Sequence, residues 1–225
     1  MSNGKGPGYR LTSDFKLPMS SHTPAPATDD LGKPAWRVAL FYPEQGGWTE
    51  ADYFGLEGGP LVEFDDGSVE VLDMPTKEHQ RIVQFLFVLM AHCVSEHRLG
   101  EVFIAPMPVR LWPRKFREPD VVFVGNGRSE TDGYPNGADL VLEVVSPGKK
   151  NRRRDIEIKS VEYAKAGIAE YWLIDLENRS LTVHLLSGNQ YDKVTYSDAA
   201  TVESIRIPGF QVSVAAILAA AVGPA

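Results

Sequence analysis

Two short apolar runs, one that begins at an acidic residue and one with an acidic residue in its middle, constrain this chain more than any other feature of its sequence. The first reads Glu-Pro-Asp-Val-Val-Phe-Val (118–124), and the second reads Ala-Asp-Leu-Val-Leu-Glu-Val-Val-Ser-Pro (138–147). Runs that are apolar on both faces are typical of central strands covered by helices. The sequence therefore predicts an α/β fold with a central mixed sheet flanked by helices.

Hydrophobic periodicity predicts the elements around these two strands. Residues 76–97 should form a long helix, whose buried face is set by residues at helical spacing: His79, Ile82, Val83, Leu86, Leu89, Met90, Cys93 and Val94. A second helix is expected over 153–166, ending at Gly167, with shorter helices over 49–56 and 214–221. Further strands are expected over 61–64, 68–72, 101–105, 108–111, 170–174, 180–185 and 190–196.

The composition is that of a globular protein with an unusual N-terminal segment. Residues 1–35 contain five prolines and four glycines, so we expect a disordered tail followed by a single domain over 36–225. The net charge of -7 argues against a protein that coats nucleic acids non-specifically, but it permits a local basic patch. A single cysteine, Cys93, and the lack of a long apolar run favour a cytoplasmic protein with no membrane partner.

Asp120 and Glu143 are the acids within the two apolar runs. Carboxylates are rarely buried unless they are paired or bound to a metal. Two of them on neighbouring strand ends could bind a hard cation such as Mg²⁺ through oxygen ligands. Alone, Asp120 could equally cap a strand edge, and Glu143 could form a lone salt bridge, which suits its apolar run less well. Together, the two acids favour a functional site.

Lys159 belongs to the helix that follows the Glu143 strand. Its spacing alone favours a surface lysine paired with Asp155, four residues earlier on the same helix. Its position in the chain favours function, because this helix could place Lys159 over the acid pair.

A basic run lies between the Glu143 strand and this helix, with five cationic residues in six positions: Lys149, Lys150, Arg152, Arg153 and Arg154. Such residues could hold DNA phosphates by charge, although a run of this kind can equally be a solvated loop. Its place beside the acids favours contact with a substrate. Two further residues are ambiguous: His79 is most simply a core histidine, and Glu63 is either a third acid or a surface residue.

Several segments combine into a specific set of motifs: Glu63–Gly67, His79–Ile82, Pro119–Asp120, Asp139–Pro147, Arg153–Asp155 with Lys159 and Tyr163, Gly167–Asp175, and Pro208–Phe210. This set resembles the Uma-two family, whose members are described as restriction endonucleases of the PD-(D/E)XK nuclease superfamily. The resemblance covers about residues 48–220. It implies a restriction-endonuclease-like fold and magnesium-dependent cleavage of DNA.

The resemblance also assigns roles to individual residues. Asp120 matches the motif aspartate and Glu143 the motif glutamate, and these two with the backbone carbonyl of Val144 would hold the metal. The superfamily places a lysine two residues after the glutamate, where this chain has Val145. In the Uma-two pattern the lysine lies on the following helix, where Lys159 stands here.

Glu63 and His79 match two further recurrent positions of the family, so the sequence predicts an intact catalytic site. We therefore predict a metal-dependent DNA endonuclease that uses Mg²⁺ or Mn²⁺, acts on double-stranded DNA and forms a homodimer. The alternative is a non-catalytic module on a nuclease scaffold that binds nucleic acid or protein. The net charge of -7 supports this alternative, whereas a binding module would need neither the acid pair nor Lys159.

Overall fold

The structure is a computed structural model that describes residues 43–56, 61–128 and 133–223, together with the backbone of 130–131. The predicted tail over 1–35 lies outside the described residues, as do the first residues of the predicted domain.

The helices are α1 (Glu50–Phe54), α2 (Lys77–His97), α3 (Lys149–Arg153), α4 (Lys159–Lys165) and α5 (Val214–Val222). A π-helical turn, Arg154–Ile158, joins α3 to α4 without a break. The strands are β1 (Val62–Asp65), β2 (Ser68–Val71), β3 (Gly100–Ile104), β4 (Val109–Trp112), β5 (Lys115–Arg117), β6 (Val121–Gly125), β7 (Glu130–Thr131), β8 (Tyr134–Pro135), β9 (Leu140–Val144), β10 (Glu170–Asp175), β11 (Ser180–Ser187), β12 (Gln190–Ser197), β13 (Thr201–Glu203) and β14 (Gln211–Ser213).

A mixed six-stranded sheet forms the centre of the fold, in the order β12-β11-β10-β9-β6-β3. Strands β9 and β10 run parallel, and α3, the π-helical turn and α4 make the crossover between them. The neighbouring pairs in this sheet are otherwise antiparallel. A smaller antiparallel sheet has the order β2-β1-β5-β4. The predicted central mixed sheet flanked by helices is therefore confirmed.

The two faces of β9 are buried in different parts of the core, because successive side chains of a strand point to opposite faces. Leu142 and Val144 pack with α2 and α5. Val141 packs on the other face with Tyr163 of α4. Glu143 shares the face of Val141, so the fold directs this carboxylate towards α4.

The long predicted helix is confirmed within one residue. Thr76 caps its N-terminus by accepting a hydrogen bond from the backbone N–H of His79. The predicted buried face is also correct, except that Leu89 and Cys93 are only half-buried. In the described part of the chain, no helix is long and apolar enough to cross a membrane.

The secondary structure departs from the prediction in two ways. The crossover helix begins at Lys149 rather than at 153, so the basic run is helical and not a loop. Among the described residues, five short strands were not predicted: β5, β7, β8, β13 and β14. In β5, Lys115 and Arg117 are almost completely buried, at 1% and 4% exposure.

Gly100 permits the close approach of β3 and β6, where it pairs with Gly125. Its φ is +152°, and a Cβ atom built there would lie only 2.0 Å from the carbonyl oxygen of Val124. We predict that Gly100→Ala lowers the free energy of unfolding by roughly 3 kcal/mol or more, because the sheet backbone must move. Urea denaturation measures this change.

Gly188→Ala is the matched control. Gly188 also has a positive φ, of +63°, but a Cβ atom added to it would meet no other atom within 4 Å. This substitution should lower the free energy of unfolding by only about 1 kcal/mol, the cost of placing a residue with a Cβ atom in a left-handed backbone. Equal losses in the two variants would show that the contact with Val124 does not limit the sheet.

Candidate active site

The predicted acids and the lysine come together in one small cavity of about 70 Å³. We call it the acidic cavity and define it by four of the charged residues that line it: Glu118, Asp120, Glu143 and Lys159. His79 of α2 also lines it. Asp120 directly precedes β6, and Glu143 lies near the end of the neighbouring β9. The pairing of these strands therefore brings the two acids together.

Glu143 is only 3% exposed and is held by two donors from α4. Its Oε1 accepts hydrogen bonds from Lys159 Nζ at 2.8 Å and from the Tyr163 hydroxyl at 2.6 Å. Burial raises the pKa of Glu143 to about 7. The charge of Lys159 opposes this rise, and that of Asp120 adds to it.

Lys159 is buried between carboxylates, with only 2% exposure. Its Nζ lies 2.8 Å from Glu143, 3.2 Å from Glu63 and 3.8 Å from Asp155. Burial lowers the pKa of Lys159, but these carboxylates outweigh it and raise the pKa above its ordinary value, so the ammonium stays charged. The alternative of a surface lysine is wrong because Lys159 is buried, while the predicted pair with Asp155 is present as the longest of the three contacts.

Asp120 is fixed against the end of β9. Its Oδ2 accepts a hydrogen bond from the backbone N–H of Val144 at 2.8 Å, and His79 Nε2 lies 3.1 Å from the same oxygen. Burial lowers the pKa of His79, but the hydrogen bond and the charge of Asp120 raise it above its ordinary value. His79 is therefore a buried partner of Asp120 and not a simple core histidine.

Glu63 contacts Lys159 and is also held by Arg117 of β5. Arg117 donates from Nη1 to Glu63 and forms two further hydrogen bonds with Glu162, at 2.7 and 2.9 Å. Burial raises the pKa of Glu63, but the charges of Lys159, Arg117 and Arg154 outweigh it and lower the pKa to about 2. Glu63 is therefore an internal anion and not a surface residue.

Four further residues of this site were not predicted from the sequence: Arg117, Glu118, Glu162 and Tyr163. One signal was available: two cations alternate around Phe116 directly before the Glu-Pro-Asp motif. Alternation of this kind places both cations on one face of a strand.

The basic run 149–154 divides into two groups. Arg152 donates two hydrogen bonds to Asp175, at 3.0 and 2.6 Å, and Arg154 is buried against Asp155. The other three cationic residues are exposed: Lys149, Lys150 and Arg153. Lys150 and Arg153 form exposed ion pairs, with Glu70 at 3.1 Å and with Glu157 at 3.4 Å. Protein carboxylates therefore pair with four of the five predicted phosphate-binding residues, and the pairs of Arg152 and Arg154 are the less exposed ones.

The donor atoms of the acidic cavity fit a hard divalent cation. Within the described ranges, Asp120 Oδ1 and Glu143 Oε2 take part in no hydrogen bond or ion pair, and the charge of Asp120 raises the pKa of Glu143. Nowhere among the described residues do three His, Cys, Asp or Glu side chains form a metal-binding group. Mg²⁺ suits such a site, because it is commonly held by one or two carboxylates and retains several waters.

The central mixed sheet and its flanking helices define a restriction-endonuclease-like fold. Among solved structures, the chain is similar to a protein titled "putative nuclease belonging to DUF820" from Anabaena variabilis ATCC 29413. The TM-score is 0.64 and the sequence identity 17%, and the match covers 77% of this chain and 99% of the other. At this identity the likeness establishes the fold alone.

The family assignment comes from the sequence itself. Residues 50–215 match the model of the Uma2 family, which is described as "Putative restriction endonuclease". The chain belongs to this family, and the resemblance noted in the sequence is confirmed. Membership supports a nuclease, a hydrolase that acts on phosphodiester bonds. No curated protein matches the chain.

Glu63 should make the stability of this protein sensitive to acid. Its pKa falls from 4.5 to about 2 on folding, so its charge stabilises the folded state above pH 4.5. This contribution is lost as the pH falls towards 2. Since one pKa unit corresponds to about 1.4 kcal/mol, the loss is about 3 kcal/mol.

We predict that Glu63→Gln, which cannot titrate, loses less stability than the wild type across this pH range. Urea denaturation at a series of pH values measures the difference between the two proteins. The exposed Glu157 supplies the control, because Glu157→Gln should follow the wild-type curve. Parallel curves for Glu63→Gln and the wild type would contradict the role of Glu63 as an internal anion.

Proposed function

We propose that this protein is a metal-dependent endonuclease that hydrolyses phosphodiester bonds in DNA. One observation carries the proposal: a buried, charged lysine, Lys159, contacts Glu143 in a cavity that also contains Asp120. Burying an ammonium has a desolvation cost that often exceeds the attraction of its carboxylate partners. Such an arrangement therefore favours a functional role. Perturbed ionisable groups that share a cavity are typical of catalytic sites.

Asp120, Glu143 and the backbone carbonyl of Val144 would hold Mg²⁺ or Mn²⁺, which when bound lowers the pKa of a coordinated water and polarises the scissile phosphate. His79 orients Asp120 through Oδ2, which leaves Oδ1 for a ligand. Tyr163 orients Glu143 in the same way through Oε1. In each carboxylate, the protein thus holds one oxygen and leaves the other for the metal.

Lys159 supplies the positive charge for the reaction. Its raised pKa keeps the ammonium protonated, so it can stabilise the negative charge that develops on the phosphate as the bond to water forms. Glu63 is a second carboxylate in contact with Nζ, at 3.2 Å, and limits its movement. The amine therefore acts from α4, although the superfamily pattern would place it at Val145.

The exposed cations of α3, Lys149, Lys150 and Arg153, supply charge for a DNA backbone beside the acidic cavity. We propose double-stranded DNA as the substrate, a homodimer as the active form and the cytoplasm as the location.

A non-catalytic binding module remains the second candidate. The inward pairing of Arg152 with Asp175 and of Arg154 with Asp155 favours it, because these arginines are not free to bind phosphates. Cleavage by the wild type and its loss on removal of the Lys159 amine distinguish the two candidates.

We predict that Lys159→Met lowers plasmid cleavage in Mg²⁺ by ~100–1000-fold, because it removes a group that stabilises transition-state charge. Lys165→Met is the matched control, since Lys165 belongs to the same helix but lies over the Trp112 ring, 4.1 Å from its centroid. The control should cleave at the wild-type rate. A Lys159→Met protein that cleaves as fast as the wild type would remove the lysine from the mechanism.

We predict that Mg²⁺ raises the melting temperature of the wild type and not that of Asp120→Asn. At a metal concentration about 100 times the Kd, binding stabilises the folded state by about 2.7 kcal/mol. Asp192 of β12 is exposed, so Asp192→Asn should keep the full shift. An equal shift in Asp120→Asn and the wild type would place the cation elsewhere.

A further inference from the structure

A second cavity, of about 200 Å³, adjoins the acidic cavity and has no role in the proposed mechanism. We call it the side cavity. It lies beside the carboxyl ends of β9 and β10 and the N-terminus of α2. Four residues line both cavities: Asp73, Pro75, His79 and Ser146. A group bound in the side cavity would therefore lie next to a phosphate held at Asp120 and Glu143.

The surface of the side cavity is mainly apolar, and six apolar residues line it: Met74, Pro75, Val144, Val145, Pro147 and Leu176. The charged groups at its edge do not favour an anion. They include Glu78 and Glu177, while Arg152 is already held by two hydrogen bonds to Asp175. A second phosphate is thus a poor ligand here, and an uncharged group with a largely apolar surface fits better.

Hydrogen bonds hold two segments that line the cavity together. Asn151 Nδ2 donates to Asp73 Oδ2 at 2.7 Å and to the Pro147 carbonyl at 2.9 Å, which ties α3 to the segment before α2. Ligand pockets are usually preformed and combine apolar walls with a few polar groups.

His79 lines both cavities and has one polar atom without a partner. Its Nε2 contacts Asp120, while its Nδ1 is buried and has no hydrogen-bond partner within the described residues. Buried polar atoms are normally hydrogen-bonded, so an unpaired one in a residue that lines a cavity favours a ligand with a polar edge. The polar edge of a planar heterocycle could occupy this position.

We propose that the side cavity binds the nucleobase of a nucleotide next to the scissile phosphate, turned out of the base stack. This inference rests on the proposed nuclease function and names the state of its substrate. A base that remains paired and stacked cannot enter a walled cavity. Turning it out costs a few kcal/mol in a duplex and less where the base is mismatched or already single-stranded.

The first experiment compares cleavage at one position of one sequence in four contexts. After the cleaved bond is mapped, the nucleotide next to it is presented in four forms. It is fully paired in a duplex, mismatched in a duplex, part of a single strand, or replaced by an abasic residue in a duplex with the same complementary strand. We expect the mismatched and single-stranded substrates to be cleaved about tenfold faster or more than the paired one. The abasic substrate should lose this advantage, because it has no base to bind.

Two outcomes would overturn the inference while leaving a nuclease in place. In the first, paired and unpaired substrates are cleaved equally fast. In the second, the abasic substrate is cleaved as fast as the mismatched one, which would show that only backbone flexibility matters.

A binding experiment tests the cavity even if no substrate is cleaved, so the inference and the proposed function can fail separately. The probe is a single-stranded oligonucleotide that contains 2-aminopurine, added to wild-type protein in Ca²⁺. No Phe, Tyr or Trp side chain is among the described residues that line the side cavity, so the fluorescence of a base moved there from the stack should rise.

Two variants assign the fluorescence change to the side cavity. Leu176→Phe reduces its volume, and Met74→Asp adds charge at a position that is 86% exposed and outside the core. Both variants should bind the probe about tenfold more weakly than the wild type, as measured by the fluorescence rise. Val71→Phe changes an exposed residue that lines neither cavity, so it should bind the probe as tightly as the wild type. No rise in the wild type, or an equal rise in all proteins, would overturn the inference.

Discussion

The buried charge cluster around Lys159 is the interaction on which the rest of the site depends. Its ammonium contacts Glu143 of the central sheet and Glu63 of the smaller sheet, and Arg117 extends the cluster to Glu162 of α4. Removing one member would leave an uncompensated buried charge, which typically costs about 3–5 kcal/mol. The two sheets and the crossover helix are therefore held in one arrangement by the same charges that form the site.

This cluster explains how a nuclease site can tolerate Val145 where the superfamily pattern has a lysine. Val145 is 6% exposed and packs in the apolar core between the sheet and α4. Helix α4 supplies an amine in contact with Glu143, while the strand keeps an apolar residue for packing. Under the proposed function, the chemistry depends on the position of the amine relative to Glu143, whichever element carries it.

The surroundings of the acidic cavity combine exposed cations with a mainly apolar surface. Lys149 and Arg153 are exposed on α3, where Arg153 pairs with Glu157, whereas Arg154 belongs to the buried cluster. The side cavity adds a mainly apolar surface next to the same carboxylates. Under the proposed function, a substrate would meet cations at its backbone and apolar walls at one base.

The sequence by itself determined the class of fold and the catalytic candidates on it. Apolar runs and helical periodicity depend on local spacing, so the central strands, α2 and the positions of Asp120 and Glu143 could be predicted. Only the tertiary structure decided that Lys159 is buried, that β5 exists and that Arg152 and Arg154 face protein carboxylates. These outcomes depend on partners far away in the chain, such as Glu63, and charge pairing across that distance leaves no local pattern in a single sequence.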